Sequence, residues 1–162
     1  MGNLLFSPNG RIGPADFTKG AIILIVLGFV LALPELMGMK GIAPIASLIS
    51  FLLLYPWVVI WIKRYHDAGK SGWTCFVPIV IYIITMIVLM SVLLGGEFMA
   101  IFQAASEGAS QAETEAMAEN MVDSGAQLKL LIATTVLSLA VALGFNSIIK
   151  RDDHENQFGP AS

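Results

Sequence analysis

Three stretches of this chain, residues 41–62, 71–96 and 130–149, contain no Asp, Glu, Lys or Arg, and a fourth, 20–39, contains only Glu35. Each reaches the roughly 20 residues that an α-helix needs to cross about 30 Å of hydrocarbon. Lipid offers no partner to a backbone N–H or C=O, so only helices and closed barrels can span it. The apolar runs are continuous, whereas barrel strands alternate apolar and polar positions. The sequence therefore predicts an all-α, polytopic membrane protein, a small bundle of four transmembrane helices forming a single domain over residues 1–162. The spans fall at Phe17–Leu36, Ile42–Ile62, Trp73–Leu94 and Leu128–Ile149, followed by a tail at 150–162. Pro56 and Pro78 are expected to kink spans two and three or to open their hydrogen bonding locally, because proline lacks the N–H that a helix interior requires.

Magnitudes support insertion. Residues 73–95 hold thirteen Leu, Ile, Val or Phe, together favouring transfer by roughly 4–8 kcal/mol. Charged residues make up 13% of the 162-residue chain, against about a quarter in soluble domains. The first run begins near Phe17, lacks a small-x-small cleavage site and is followed by three more spans, which does not fit a cleaved signal peptide. Phe6 stands where an N-terminal acylation pattern wants Ser or Thr. The single cysteine, Cys75, excludes an intrachain disulfide, and a formal charge of −3 argues against nucleic acid as a partner.

Orientation follows from the basic residues. With the N-terminus inside, the inner face receives Arg11, Lys19, Lys63, Arg64, Lys70, Lys150 and Arg151, and the outer face only Lys40 and Lys129. Seven against two places both termini and the loop after span two in the cytoplasm. Residues 96–127 then lie outside and carry Glu97, Glu107, Glu113, Glu115, Glu119 and Asp123 with no basic residue. Phe98, Ile101, Phe102 and Ala105, and later Met117, Met121 and Val122, recur at helical spacing, which predicts an extra amphipathic helical segment between spans three and four. It is read either as an extension of span three folding back on the membrane or as a docking helix for a partner.

Ionisable chemistry is concentrated in one loop, Lys63-Arg64-Tyr65-His66-Asp67-Ala68-Gly69-Lys70-Ser71-Gly72-Trp73. Lys63 and Arg64 are placed to meet anionic head groups, each worth about 1 kcal/mol near the surface. Gly69 and Gly72 permit positive φ and a tight return. Trp73 is expected to anchor at the interface. His66 and Asp67 are the catalytic candidates, as a general acid–base pair; Arg64, His66 and Lys70 could instead frame a phosphate. The plainer alternative is an ion-paired hairpin that locks helices two and three.

The segment Arg64–Trp73 resembles the R-x-H-D-x-G-K-S-G-W signature of a family of small bacterial inner-membrane proteins, domain-of-unknown-function family 805. Phe6 through Arg11-Ile12 with Phe17 looks like the family's N-terminal F-x-G-R-I with a following aromatic, and Glu155–Pro160 is similar to its E-N-x-Y-G tail. The chain departs from the pattern at Phe158, where Tyr is usual, at Pro14, where a second basic residue is common, and in a longer 96–127 segment. The resemblance implies a four-span protein of the inner membrane and no particular activity. All three pieces fall on the cytoplasmic face. Arg11, Lys63, Arg64, His66, Asp67, Lys70, Trp73, Asn156 and Phe158 are therefore taken as one binding site or structural clasp, with Asn156 bridging the loop backbone and Phe158 packing on Trp73.

No metal or cofactor is expected, since His66 and His154 lack a local ligand spacing. Cys75 reads as a packed thiol, Glu35 as a carboxylate reaching the outer interface, and Asn146 as a hydrogen-bonding group between helices. Three functions stay open: a membrane interaction, scaffold or regulatory module; an enzyme or sensor binding a phosphorylated lipid head group; and a small oligomeric channel or transporter. Besides the bilayer, the expected partners are anionic head groups, another membrane protein or further copies of the chain.

Overall fold

The computed structural model describes residues 2–121 and 125–161, without the side chains of 119–121. Helices make up most of the described backbone: α1 (Gly2–Leu5), α2 (Pro14–Leu36), α3 (Ala43–Leu52), α4 (Leu54–Asp67), a 3-10 turn at Gly72–Cys75, α5 (Phe76–Ser106), α6 (Gln111–Met121) and α7 (Gln127–Ile148). Four continuous or nearly continuous stretches among the described residues are long and apolar enough to cross a membrane, namely Pro14–Leu36, Ala43–Asp67, Gly72–Ser106 and Gln127–Ile148. The chain divides into two compact units, Met1–Tyr82 with Thr135–Ser162, and Ile83–Thr134.

The helix boundaries have local causes. Pro14 opens α2 at a position whose N–H would have had no partner, and Asp16 sits in the first turn, where the helix dipole favours negative charge. Span two is interrupted at Leu53, whose amide is shared between Ile49 and Ser50 at 3.2 Å each. Three residues later Pro56 has no N–H to return to Leu52, so the helical ladder is already open there, and the break precedes the proline. α4 then runs on to Asp67. The segment 63–67, expected as loop, is helix, because leaving the hydrocarbon does not end a helix; the turn comes at Gly69, with φ +68°. Pro78 lies in the first turn of α5, after the 3-10 turn, and does not break the helix interior.

α5 continues through Gly95 and Gly96 for 31 residues, roughly 46 Å at about 1.5 Å per residue. The first part of the 96–127 segment is thus a direct extension of span three. α6 begins with a capping box: the Glu113 carboxylate accepts from the Ser110 amide (2.8 Å) and hydroxyl (2.9 Å), while the Ser110 hydroxyl accepts from the Glu113 amide (3.3 Å). Those bonds to Ser110, the amide's first, hold the Glu113 carboxyl below its ordinary value. The Met117–Met121–Val122 spacing and the Glu119 and Asp123 side chains lie in part outside the described residues.

In the first unit the core gathers Phe17, Ala21 and Leu24 of α2, Ile60, Trp61 and Tyr65 of α4, Ala142 of α7, and Leu5, Ile12, Cys75 and Ile149. Trp61 is its hub, 4.5 Å from the Phe17 ring centre and edge-on to Phe145 at 6.1 Å. Elsewhere the helices turn large apolar side chains outward, Val30, Phe51 and Val92 among them. Such a surface suits lipid as solvent and would be an aggregation hazard in water. Trp61→Ala is expected to leave a cavity where three aromatic rings meet. The loss should be about 3 kcal/mol, read as a lowered melting midpoint of the detergent-solubilised protein.

Candidate functional site

Helical spacing creates the site. Three residues apart on α4, Arg64 and Asp67 lie on one face, and both are fully buried. The Arg64 Nη1 donates to Asp67 Oδ2 at 3.1 Å. From the other side Arg11, after the turn at Gly10, donates from Nε and Nη2 to Asp67 Oδ1, each at 3.2 Å. One carboxylate therefore lies between two guanidinium groups, each oxygen engaged by a different one.

Two helix ends complete the cluster. Arg64 Nη2 donates to the carbonyls of Asn146 (3.3 Å) and Ile149, and its Nε to the Asn146 side-chain oxygen at 2.6 Å. Those carbonyls close α7, where the dipole is negative and the carbonyls lack helical partners. Asn146 turns its amide the other way, donating to Pro14 O (3.0 Å) and Thr18 Oγ1 (3.1 Å) at the start of α2. The polar residue in the apolar fourth span thus ties three helices together.

The C-terminal tail crosses the same end. Asp152 N donates to Asp67 O at 2.7 Å. Arg11 Nη1 donates to the carbonyls of His154 (2.7 Å) and Gly159 (3.2 Å), and Nη2 to those of Asp67 (3.2 Å) and Asp152. Asn156 and Gly159 exchange backbone hydrogen bonds around a tight turn, with Gly159 at φ +125°. The Asn156 side chain donates to His66 O at 3.2 Å and accepts from Phe158 N at 3.0 Å. That turn lays Phe158 on the His66 ring, with centroids 3.7 Å apart and planes 4° from parallel. His66 Nδ1 meets the Gly10 carbonyl at 3.2 Å; a carbonyl only accepts, so Nδ1 carries the proton in that contact.

Of the residues proposed from sequence, Arg11, Arg64, His66, Asp67, Asn156 and Phe158 are brought together. Lys63 is buried nearby but points to the N-terminal segment, donating to Asn3 O at 2.5 Å. Lys70 is exposed. Trp73 is 78% exposed and stacks on Phe76, not Phe158, because the 3-10 turn carries it away from the tail. His66 meets the Gly10 carbonyl and the Phe158 ring, whereas Asp67 meets the two guanidinium groups. Gly72 does not adopt positive φ; it gives space instead, since a Cβ there would come within 3.1 Å of Ile62 Cγ2 and 3.2 Å of His66 Nε2. Asn146 and Asp152 are members of the cluster that the sequence reading did not assign to it. Only Asn146, as a lone amide in an apolar run, carried a signal. Among the described residues no buried side-chain N or O lacks a hydrogen-bond partner, and no group of three or more His, Cys, Asp or Glu is placed to hold a metal.

Four stretches among the described residues that are long and apolar enough to cross a membrane define a polytopic membrane protein. The chain belongs to the DUF805 family, described as a protein of unknown function, which it matches over residues 5–104. The match includes Arg11 and the whole of 64–73 and stops before the tail. No curated protein and no solved structure matched the chain.

Two outcomes test the cluster. Asp67→Asn leaves two guanidinium groups in one buried site without their carboxylate, and is expected to cost about 3–5 kcal/mol. Asp153→Asn, which removes an exposed pair with Arg151 at 2.8 Å, should cost under about 1 kcal/mol; thermal unfolding in detergent compares them. Asp152 supplies a pH dependence. The His154 amide first, then the Asn156 amide and the Arg11 charge, hold its carboxyl below the ordinary 3.8. Its contribution is fully present above 3.8 and is lost as pH falls through the lower, folded value. Hydrogen exchange at the His154 amide, corrected for intrinsic rate, should stay constant from neutral pH down to that point and rise below it.

Proposed function

We propose that this chain is a multi-pass protein of the bacterial inner membrane, with both termini cytoplasmic, and that it serves as an interaction or scaffold module. One observation supports this most. The charged residues that would make the 63–73 segment an enzyme, Arg64 and Asp67, are buried and bound to each other, to Arg11 and to helix ends. A carboxylate with both oxygens engaged by guanidinium donors is poorly presented to a substrate, and the Arg64 guanidinium, whose donors meet the fixed carbonyls that end α7, is poorly placed to take a substrate phosphate. The orientation rests on seven of the nine Lys and Arg falling, by sequence, near the end of the spans where the termini meet. Lys70 and Trp73, exposed beside the clasp, are the surface offered to a membrane-protein partner or to anionic head groups.

The test separates the inward and outward halves of the motif. Asp67→Asn is expected to lower the amount of protein in the membrane together with complementation of a deletion strain. Lys70→Ala/Trp73→Ala is expected to leave the amount unchanged and to release a stoichiometric partner seen by native mass spectrometry of gentle detergent extracts. Loss of complementation by Asp67→Asn at wild-type abundance and stability would replace this reading with the enzyme. An unaltered set of bound molecules in Lys70→Ala/Trp73→Ala would remove the docking surface.

A further inference from the structure

We infer that the C-terminal strap, residues 152–159, is a displaceable cover over a phosphate-binding edge of Arg11; this builds on the reading of the cluster as a clasp. A guanidinium presents two edges that can each take a pair of oxygens. On Arg11, the Nε–Nη2 edge is used by the Asp67 carboxylate. The Nη1–Nη2 edge faces three main-chain carbonyls of the strap, those of Asp152, His154 and Gly159. Three oxygens converging on one guanidinium edge is the arrangement that a phosphate supplies.

Charge points the same way. Two guanidinium groups share one buried carboxylate, and on its outer edge Arg11 is hydrogen-bonded to main-chain carbonyls, the Asp152 carboxylate acting on it only at longer range. A phosphate would place formal negative charge directly on that edge. The strap itself is a surface element. No residue from 150 to 161 is buried, whereas the Arg11 side chain beneath it is 1% exposed. Its side-chain attachments on the bundle are one amide hydrogen bond, Asn156 to His66 O, and one aromatic stack, Phe158 on His66. Arg11 precedes α2, at the end of the first span, where head-group phosphates lie. The ligand chemistry is therefore a phosphate, on a lipid head group or free.

Amide hydrogen exchange of the full chain in phosphatidylcholine nanodiscs reads strap release directly. Inorganic phosphate in solution, or about a third phosphatidic acid in the disc, is the probe, with chloride at equal ionic strength as control. In wild type, a phosphate source should speed exchange of residues 152–159 by about tenfold over the control while α4 stays protected. Phe158→Ala should lower the probe concentration required by about tenfold, since it removes the stack that competes. A response to phosphatidic acid alone assigns the site to a head group, and a response to inorganic phosphate assigns it to the free ion. In Arg11→Lys/Phe158→Ala the charge stays but the forked edge is lost, and the effect should fall by about tenfold; an undiminished response overturns the proposal. It is also overturned if neither probe releases the strap in wild type or Phe158→Ala. If Phe158→Ala deprotects α4 as well, the strap is an inseparable part of the fold, which ends this proposal and leaves the clasp reading standing.

Discussion

One carboxylate, that of Asp67, sets the terms for the end of the bundle where the termini meet. It holds Arg64 from its own helix and Arg11 from the N-terminal segment. Two positive groups against one negative would be costly in a buried site, and the surplus is absorbed by main-chain carbonyls. Arg64 takes those at the end of α7, and Arg11 takes that of Asp67 at the end of α4. Helix ends leave such carbonyls without helical partners and carry the negative pole of the dipole. The arginines thus satisfy two helix termini while having their own charge met. α4 and α7 must end at the same level for this to work, and α2 must begin there for Asn146 to reach Pro14 and Thr18.

The apolar core lies directly beneath this cluster. Phe17, Trp61 and Phe145 meet one turn or so from Asn146 and Arg64, so packing and polar pairing fix the same approach of α2, α4 and α7. Further out, the N-terminal helix is tied to α4 by Lys63 to Asn3 O and by the Tyr55 hydroxyl to Phe6 O at 2.9 Å. Gly20 allows close contact there, since a Cβ on it would touch Ile60 at 3.4 Å. Backbone close approach and polar links stand in for the hydrophobic drive that lipid withholds from helix association.

The spans were legible in the sequence because absence of charge over some 20 residues is a direct statement about solvent. The motif's internal geometry was not. Lys63 to Asp67 reads as loop by composition, yet it is the last helical turn of α4, and only that helicity brings Arg64 and Asp67 to one face. Pro56 signalled an interruption, and the break falls at Leu53, the part of the ladder the proline had disturbed. The convergence of Arg11, His66 and Asn156 could be argued from topology, whereas the stacking partner of Phe158 could not. It depends on the 3-10 turn that swings Trp73 out to the surface and on Gly72, whose missing Cβ leaves room for the His66 ring. Asp152 gave no signal, because its links to Asp67 and Arg11 run through its backbone N–H and C=O, which any residue carries.

A buried charge cluster needs a reason, since well-packed apolar residues often stabilise a soluble core as well or better. Lipid changes that comparison. Hydrocarbon is as apolar as Leu, so an apolar patch at the end of these helices would distinguish weakly between correct docking, misaligned docking and contact with lipid. A guanidinium at that depth discriminates sharply, because every arrangement but the paired one leaves donors unmet. Arg64 reaches Asn146 and Ile149 from only one relative position of α4 and α7, and Asn146 reaches Pro14 from only one position of α2. The cluster's value therefore lies in fixing register more than in added stability. It explains why the buried charges gather at one end of the helices, where their partners are helix termini, while the spans carry almost none.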